Sequence, residues 1–326
     1  MEKEYPVVYT CEHFDLRQLA EGVFAALARE EGAAYSNAGI IDLGDRTLVF
    51  DALDSHLASE PLRRAAFAVT GREADTLLIS HFHGDHVRGM QVFRGAAVIS
   101  THETRRAIQA QTAEIIKMQQ NPGEIEAQLA KDEASLQAET DPDKCAALLA
   151  AIRRSRFNLQ ALPGFIPTLP NQTFDGSLTF HGTRRVAEFV TRGKGHTPSD
   201  AYLWLPAEKI VFLGDLGFFG NAPFMASCEP AAWVAQMEAM QGWEVDIFVP
   251  GHGPLGSKAD LTMQREYVLA LDAMVSGVIR AGGTLETALQ TPLPEKFNGW
   301  TAKSARRFEM NVRSAFRRLS PAIEEK

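Results

Sequence analysis

The sequence predicts an α/β sandwich with helical additions, on three observations. Short apolar runs bounded by Gly, Asp and Pro recur in both halves of the chain, longer segments of helical spacing separate them, and the densest group of metal-type ligands stands directly after one such run. The end of a strand, where the chain must turn, is where α/β proteins place their chemistry.

Taken in order, residues 38–43 and 46–51 are apolar runs joined through Gly44-Asp45, a hairpin signal. A helix is expected over 60–70, a strand over 75–80, a His-rich turn, and a further strand over 96–100. Between 103 and 161 the pattern changes. Ala, Gln, Glu, Leu and Lys dominate, Asn121-Pro122-Gly123 and Asp141-Pro142 interrupt, and Ile108, Ile115, Met118, Leu148, Ile152 and Leu159 fall at loosely helical spacing. This reads as an insertion of two or three helices. Its apolar stripe can pack on itself or on a second subunit, making a homodimer, and its position after the His-rich turn points Ile115 and Met118 towards the substrate entrance.

Strands follow over 177–180, 185–190, 201–205, 209–213 and 245–249, with a helix over 230–241 opened by Pro230. Two amphipathic faces close the chain. Leu261, Tyr267, Val268, Leu271, Met274, Val275 and Val278 form the first; Phe308, Val312, Ala315, Phe316 and Leu319, flanked by Arg306, Arg307, Arg313, Arg317 and Arg318, form the second. The expected division is a main domain over 1–260 and a C-terminal helical subdomain over 261–326.

A chain of 326 residues with 45% hydrophobic content can bury a sizeable core. Its net charge of -8 argues against nucleic acid as a partner, because a phosphate backbone calls for a basic surface. Cys11, Cys145 and Cys228 are odd in number and widely spaced, so they offer neither a disulfide framework nor a zinc knuckle and read as reduced thiols. The opening Met-Glu-Lys-Glu-Tyr-Pro lacks the apolar run of a secretory signal, and no segment has the length of apolar sequence that spans a membrane. These features lead to the expectation of a cytoplasmic protein acting on a small molecule, with no membrane partner.

The chemistry concentrates in Ser80-His81-Phe82-His83-Gly84-Asp85-His86. If the backbone is extended through His81 and His83, both imidazoles project to one side, and Gly84 lets the chain bend so that Asp85 and His86 face the same space. Neutral imidazoles crowded in this way need partners for their ring nitrogens, and borderline-soft divalent metals want that mixture of nitrogen and oxygen. Two ligand pairs at this spacing suit two adjacent ions. His13, His56, His102 and His181 have no chemical company and read as ordinary core or surface residues.

His81-x-His83-x-Asp85-His86 after a strand resembles the hallmark of the metallo-β-lactamase superfamily. Gly195-His196-Thr197-Pro198, Gly214-Asp215 and Val249-Pro250-Gly251-His252-Gly253 are similar to that family's later metal-binding turns, in the same order. The resemblance implies an αββα sandwich with 1–260 as its catalytic domain. It also implies that His81, His83 and His196 hold one metal, that Asp85, His86 and His252 hold a second, and that Asp215 bridges them. The ions implied are two divalent cations, Zn2+ first and Fe or Mn as alternatives, with Asp85 as the catalytic residue that orients the attacking hydroxide. An aspartate rather than a cysteine at 215 resembles the glyoxalase II and lactonase-like branches.

The function so implied is hydrolysis of an ester, lactone, thioester or amide carbonyl. Two alternatives stand beside it: a mononuclear iron oxidoreductase of the sulfur dioxygenase type, and a metal-stabilised binding protein. For the substrate the sequence offers only the run from Leu216 to Met225, whose three phenylalanines and methionine either line an apolar pocket or pack in the core. No cationic pocket is legible, and Tyr202 follows His196 on a strand whose facing is not.

Overall fold

Two β-sheets lie face to face with helices on both outer surfaces. The computed structural model describes residues 5–303 and 305–320, so the first four residues and the last six of the expected C-terminal subdomain fall outside it. Strands β1 (Val7–Thr10), β2 (Phe14–Ala20), β3 (Val23–Ala28), β4 (Ala38–Asp42), β5 (Thr47–Phe50), β6 (Thr76–Leu78), β7 (Ala97–Thr101) and β8 (Gln172–Phe174) form the first sheet in that order. Pairing is antiparallel from β1 to β5 and parallel from β5 to β8. The second sheet runs β13 (Ile247–His252), β12 (Ile210–Phe218), β11 (Asp200–Leu205), β10 (Val186–Gly193), β9 (Ser177–His181), with only the β12–β13 pair parallel.

The layer between the sheets is apolar on both sides, with Ile41, Leu48, Phe50, Leu78 and Ile99 meeting Phe189, Leu203, Phe212 and Val249. Helix α1 (His56–Thr70) covers the far face of the first sheet, where Ala58, Leu62 and Ala66 pack with Ile40, Val49 and Leu77. On the far face of the second sheet, Val211 and Phe218 share one core with α6 (Pro230–Gln241), α7 (Lys258–Arg280), α8 (Leu285–Gln290) and α10 (Ala305–Leu319), through residues such as Trp233, Met237, Tyr267, Leu271, Ala288 and Val312. The C-terminal helices therefore pack directly on the sheet. A short α9 (Asn298–Lys303) precedes α10.

The α/β sandwich expected from the sequence is the fold observed, and its additions fall where composition placed them. The insertion is three helices, α3 (His102–Gln120), α4 (Gly123–Ala138) and α5 (Pro142–Ala161), broken at the two Pro-containing turns. The 44–45 hairpin forms, with Gly44 at φ 101. Helix α1 starts earlier than residue 60: Ser55 caps it by accepting from the Ala58 amide, and Pro61 is accommodated inside it. Strand β12 continues to Phe218 instead of ending at residue 213, because its parallel pairing with β13 extends to Phe218 opposite His252. The N-terminal strands β1 to β3 had no counterpart in the sequence reading. Among the described residues, no helix is long and apolar enough to cross a membrane.

Candidate metal centre

Three strand ends and the interior of a fourth strand deliver the centre. After β6 the chain passes Ser80, whose amide donates to Asp51 Oδ1 at 2.8 Å, and runs extended through His83, the residue that opens the single-turn helix α2 (Gly84–Val87). His81 and His83 thus share a side, and the helical turn swings Asp85 and His86 round to meet them. Gly84 serves by its size: its φ is not left-handed, and a Cβ there would stand 2.6 Å from the Arg88 guanidinium. His196 lies in the turn between β10 and β11, Asp215 in β12 and His252 at the end of β13. Close approach of the last two depends on Gly251, where a Cβ would lie 2.0 Å from Asp215 Oδ1.

All seven side chains singled out in the sequence meet here, in two groups. In the first, His83 Nδ1 lies 3.1 Å from His81 Nε2 and 2.9 Å from His196 Nε2, while Asp215 Oδ2 is 3.6 Å from His81 Nε2 and 3.2 Å from His196 Nε2. In the second, Asp85 Oδ2 is 3.3 Å from His252 Nε2, and Asp215 Oδ1 is 3.0 Å from His86 Nε2 and 3.3 Å from His252 Nε2. The two oxygens of one carboxylate therefore address different groups.

These spacings suit metal ions. Nitrogen and oxygen donors bound tetrahedrally at about 2.0–2.1 Å stand roughly 3.3 Å apart, which is the separation found in both groups. The 3.0 Å approach of His86 Nε2 to Asp215 Oδ1 lacks hydrogen-bond geometry, so both buried atoms are left without a hydrogen bond, a costly state for polar atoms unless an ion completes them.

Comparison with known proteins agrees with this geometry. Residues 32–252 match the family model of the metallo-beta-lactamase superfamily. The chain belongs to the metallo-beta-lactamase superfamily. The crystal structure of DIM-1 metallo-beta-lactamase is similar over 82% of this chain and 99% of its own, at 16% identity and a TM-score of 0.53, a likeness of fold. The superfamily match ends at His252, so the helices from α7 onward lie beyond it.

Behind the histidines stands a buried carboxylate that the sequence reading took only for the end of a strand. Asp51 Oδ2 contacts His86 Nδ1 at 2.8 Å and accepts from Ser80 Oγ at 2.8 Å, and Ser80 Oγ is 2.9 Å from His81 Nδ1. One aspartate therefore orients a histidine of each group, as carboxylates behind metal-bound imidazoles do. Asp51 itself sits at φ 62, a conformation unusual for a residue with a side chain. The loop before β4 adds two further ties: Ser36 donates to the Asp85 carbonyl, while Asn37 Nδ2 donates to the carbonyls of Pro250 and Gly253 on either side of His252, each at 2.9 Å.

Electrostatics divide the imidazoles. Burial holds His81 well below its usual pKa and His83 down at about 3, with neighbouring imidazoles adding to it, so both are neutral. Burial also opposes charge on His86 and His252, but facing carboxylates outweigh it: Asp215 and Asp51 raise His86 well above its usual value, and Asp215 and Asp85 raise His252. Asp215 is held well below the carboxylate range, where burial alone would raise it, by His252, His86 and His81.

The aromatic run behind Asp215 turns out to be mixed. Phe219 and Met225 pack in the core; Phe218 belongs to the same core and also stacks on the His252 ring at 4.8 Å, while Phe224 lies 5.6 Å from the His83 ring. Tyr202 is buried against Trp243, away from the histidines. Ile115 and Met118 line a small cavity of about 50 Å³ with Asp54, His56, Arg88 and Phe165, between the insertion and the start of α1. His13 accepts from the Ala33 amide and His102 pairs with Thr173, outside the centre.

Two outcomes follow for metal binding. Asp51→Asn should weaken metal affinity about 10–100-fold, read by competition with a chromophoric chelator, because the amide lacks the charge and one of the two acceptor oxygens with which Asp51 orients His86 directly and His81 through Ser80. Metal must also displace protons from the raised His86 and His252. Affinity should therefore increase as pH rises through the pKa of these groups, with proton release on binding that calorimetry in buffers of different ionisation enthalpy would measure.

Proposed function

We propose that the protein is a metal-dependent hydrolase that uses two divalent ions, zinc first among them, to cleave an ester, lactone, thioester or amide carbonyl. The observation that carries this reading is the split of the Asp215 carboxylate between two donor groups, 3.0 to 3.6 Å from imidazole nitrogens on each side. Three protein donors besides that bridge in the first group, and three in the second, leave room for a substrate oxygen, as open catalytic sites require. When bound, the ions supply a water acidified towards neutral pH and a Lewis acid for the carbonyl oxygen.

The chain's own residues do the rest. His81, His83 and His196 would hold one ion and Asp85, His86 and His252 the other. Asp85 is 14% exposed where Asp215 is 3%, so it is the carboxylate that reaches the open side, and it would orient the attacking water and accept its proton. Asp51 keeps His86 and His81 in the tautomers that present Nε2, and Phe218 and Phe224 shield the rings from bulk water. An aspartate at 215 supports a place among the glyoxalase II and lactonase-like hydrolases.

Asp215→Ala should lower metal content and turnover together, whereas Asp85→Asn should reduce turnover by about 100-fold or more with a smaller loss of metal. Both are measured by elemental analysis and by rates against a panel of lactones, thioesters and β-lactams. Full activity in either variant, or cleavage of phosphodiesters alone, would overturn the proposal.

A further inference from the structure

The loop between β12 and α6 passes the first donor group, and the C-terminal helix α10 holds that loop from outside. Three side chains at i, i+4 and i+7 on α10 face the loop in chain order. Arg307 Nη1 donates to Asn221 Oδ1 at 3.2 Å and to the Ala222 carbonyl at 2.9 Å. Asn311 Nδ2 donates to the Pro223 carbonyl and its Oδ1 accepts from the Met225 amide, each at 2.8 Å. Ser314 Oγ donates to the Ala226 carbonyl at 3.1 Å. Asn311 is fully buried beside Val312 and Ala315 of the apolar core, a setting that tolerates an amide only because both its ends are paired.

The loop so held carries two side chains to the metal centre. Asn311 fixes the residues on both sides of Phe224, whose ring lies 5.6 Å from the His83 ring and 6.2 Å from the His196 ring. Directly after the residue tied by Ser314 comes Ser227, with Oγ 3.3 Å from His83 Nε2. Among the described residues, no other hydrogen-bond partner meets that nitrogen. His83 also differs from its neighbours in the group: it turns Nδ1 inward, towards His81 Nε2 and His196 Nε2. An ion held there takes the Nδ1 lone pair, so the ring proton sits on Nε2 and Ser227 Oγ accepts it. Asp51 serves His86 and, through Ser80, His81; Ser227 is the counterpart for His83.

We propose that Ser227 is a positioning residue of the metal centre, fixing the His83 tautomer that presents Nδ1 to the first ion, and that α10 keeps it in place through Asn311 and Ser314. The superfamily match ends at His252, so this control belongs to the chain's own C-terminal addition. It rests on the metal-binding half of the proposed function and not on the reaction.

The test therefore reads zinc affinity and the His83 ring proton of the full chain, apart from turnover. Competition with a chromophoric chelator should show two zinc equivalents in the parent, one of them weakened about tenfold in Ser227→Ala, the low end for an outer partner because the site is half-buried and water can replace the hydroxyl. Ser227→Thr keeps the hydroxyl and should restore most of the loss. Asn311→Ala should weaken the same equivalent, and in the double variant the two losses should not multiply, since both act along one path. Should circular dichroism show Asn311→Ala misfolded, Ser314→Ala takes its place in the cycle. In zinc-loaded protein labelled with 15N-histidine, the Nε2 proton that is absent from His83→Gln should exchange with water faster in Ser227→Ala than in the parent or in Ser227→Thr. Parent zinc affinity in Ser227→Ala, or an unaltered His83 proton, would overturn the proposal, and losses that multiply would remove the part assigned to α10. A parent chain that takes up no zinc overturns this inference together with the metal reading. If zinc binds, Ser227→Ala weakens it and no carbonyl compound is cleaved, the inference stands and the hydrolytic reading alone falls.

Discussion

The Asp215 carboxylate sets the constraint on which the rest of the centre depends. It is 3% exposed, it is placed by a strand that lies inside a sheet, and each of its oxygens faces a different cluster of imidazoles. A buried carboxylate among so many histidines is tolerable only if its charge is used, and the neighbouring imidazoles hold it ionised against the pull of burial. Gly251 is small for this reason, and β12 stays paired past Gly214 so that Asp215 and His252 arrive together on adjacent parallel strands.

A second tier then fixes the first. Asp51, at the end of β5, reaches His86 directly and His81 through Ser80, while Ser36 and Asn37 bind the Asp85 and His252 turns to the loop before β4. The two sheets are thereby joined at the centre by polar contacts as well as by the apolar layer between them. Loss of one tie shifts a ligand without removing it, which is why the positioning residues are expected to act on affinity more than on the fold.

The centre was legible in the sequence where its residues are contiguous or stand in turns with a recognisable pattern. His81 to His86 announce themselves by crowding, and His196, Asp215 and His252 by the glycines beside them. Asp51 and Asn37 were not legible, because nothing local distinguishes an aspartate after a strand or an asparagine before one; their partners lie 35 and 213 residues away. The additions themselves were read correctly from composition, since proline breaks and helical spacing are local signals.

The claim that one carboxylate joins two ions is tested most directly by X-ray diffraction from zinc-loaded crystals at the zinc absorption edge. Two anomalous peaks on opposite sides of the Asp215 carboxylate are expected, one among His81, His83 and His196 and the other among Asp85, His86 and His252, at a separation of about 3.5–4 Å. A single peak, or two peaks of which neither touches Asp215, would contradict the account.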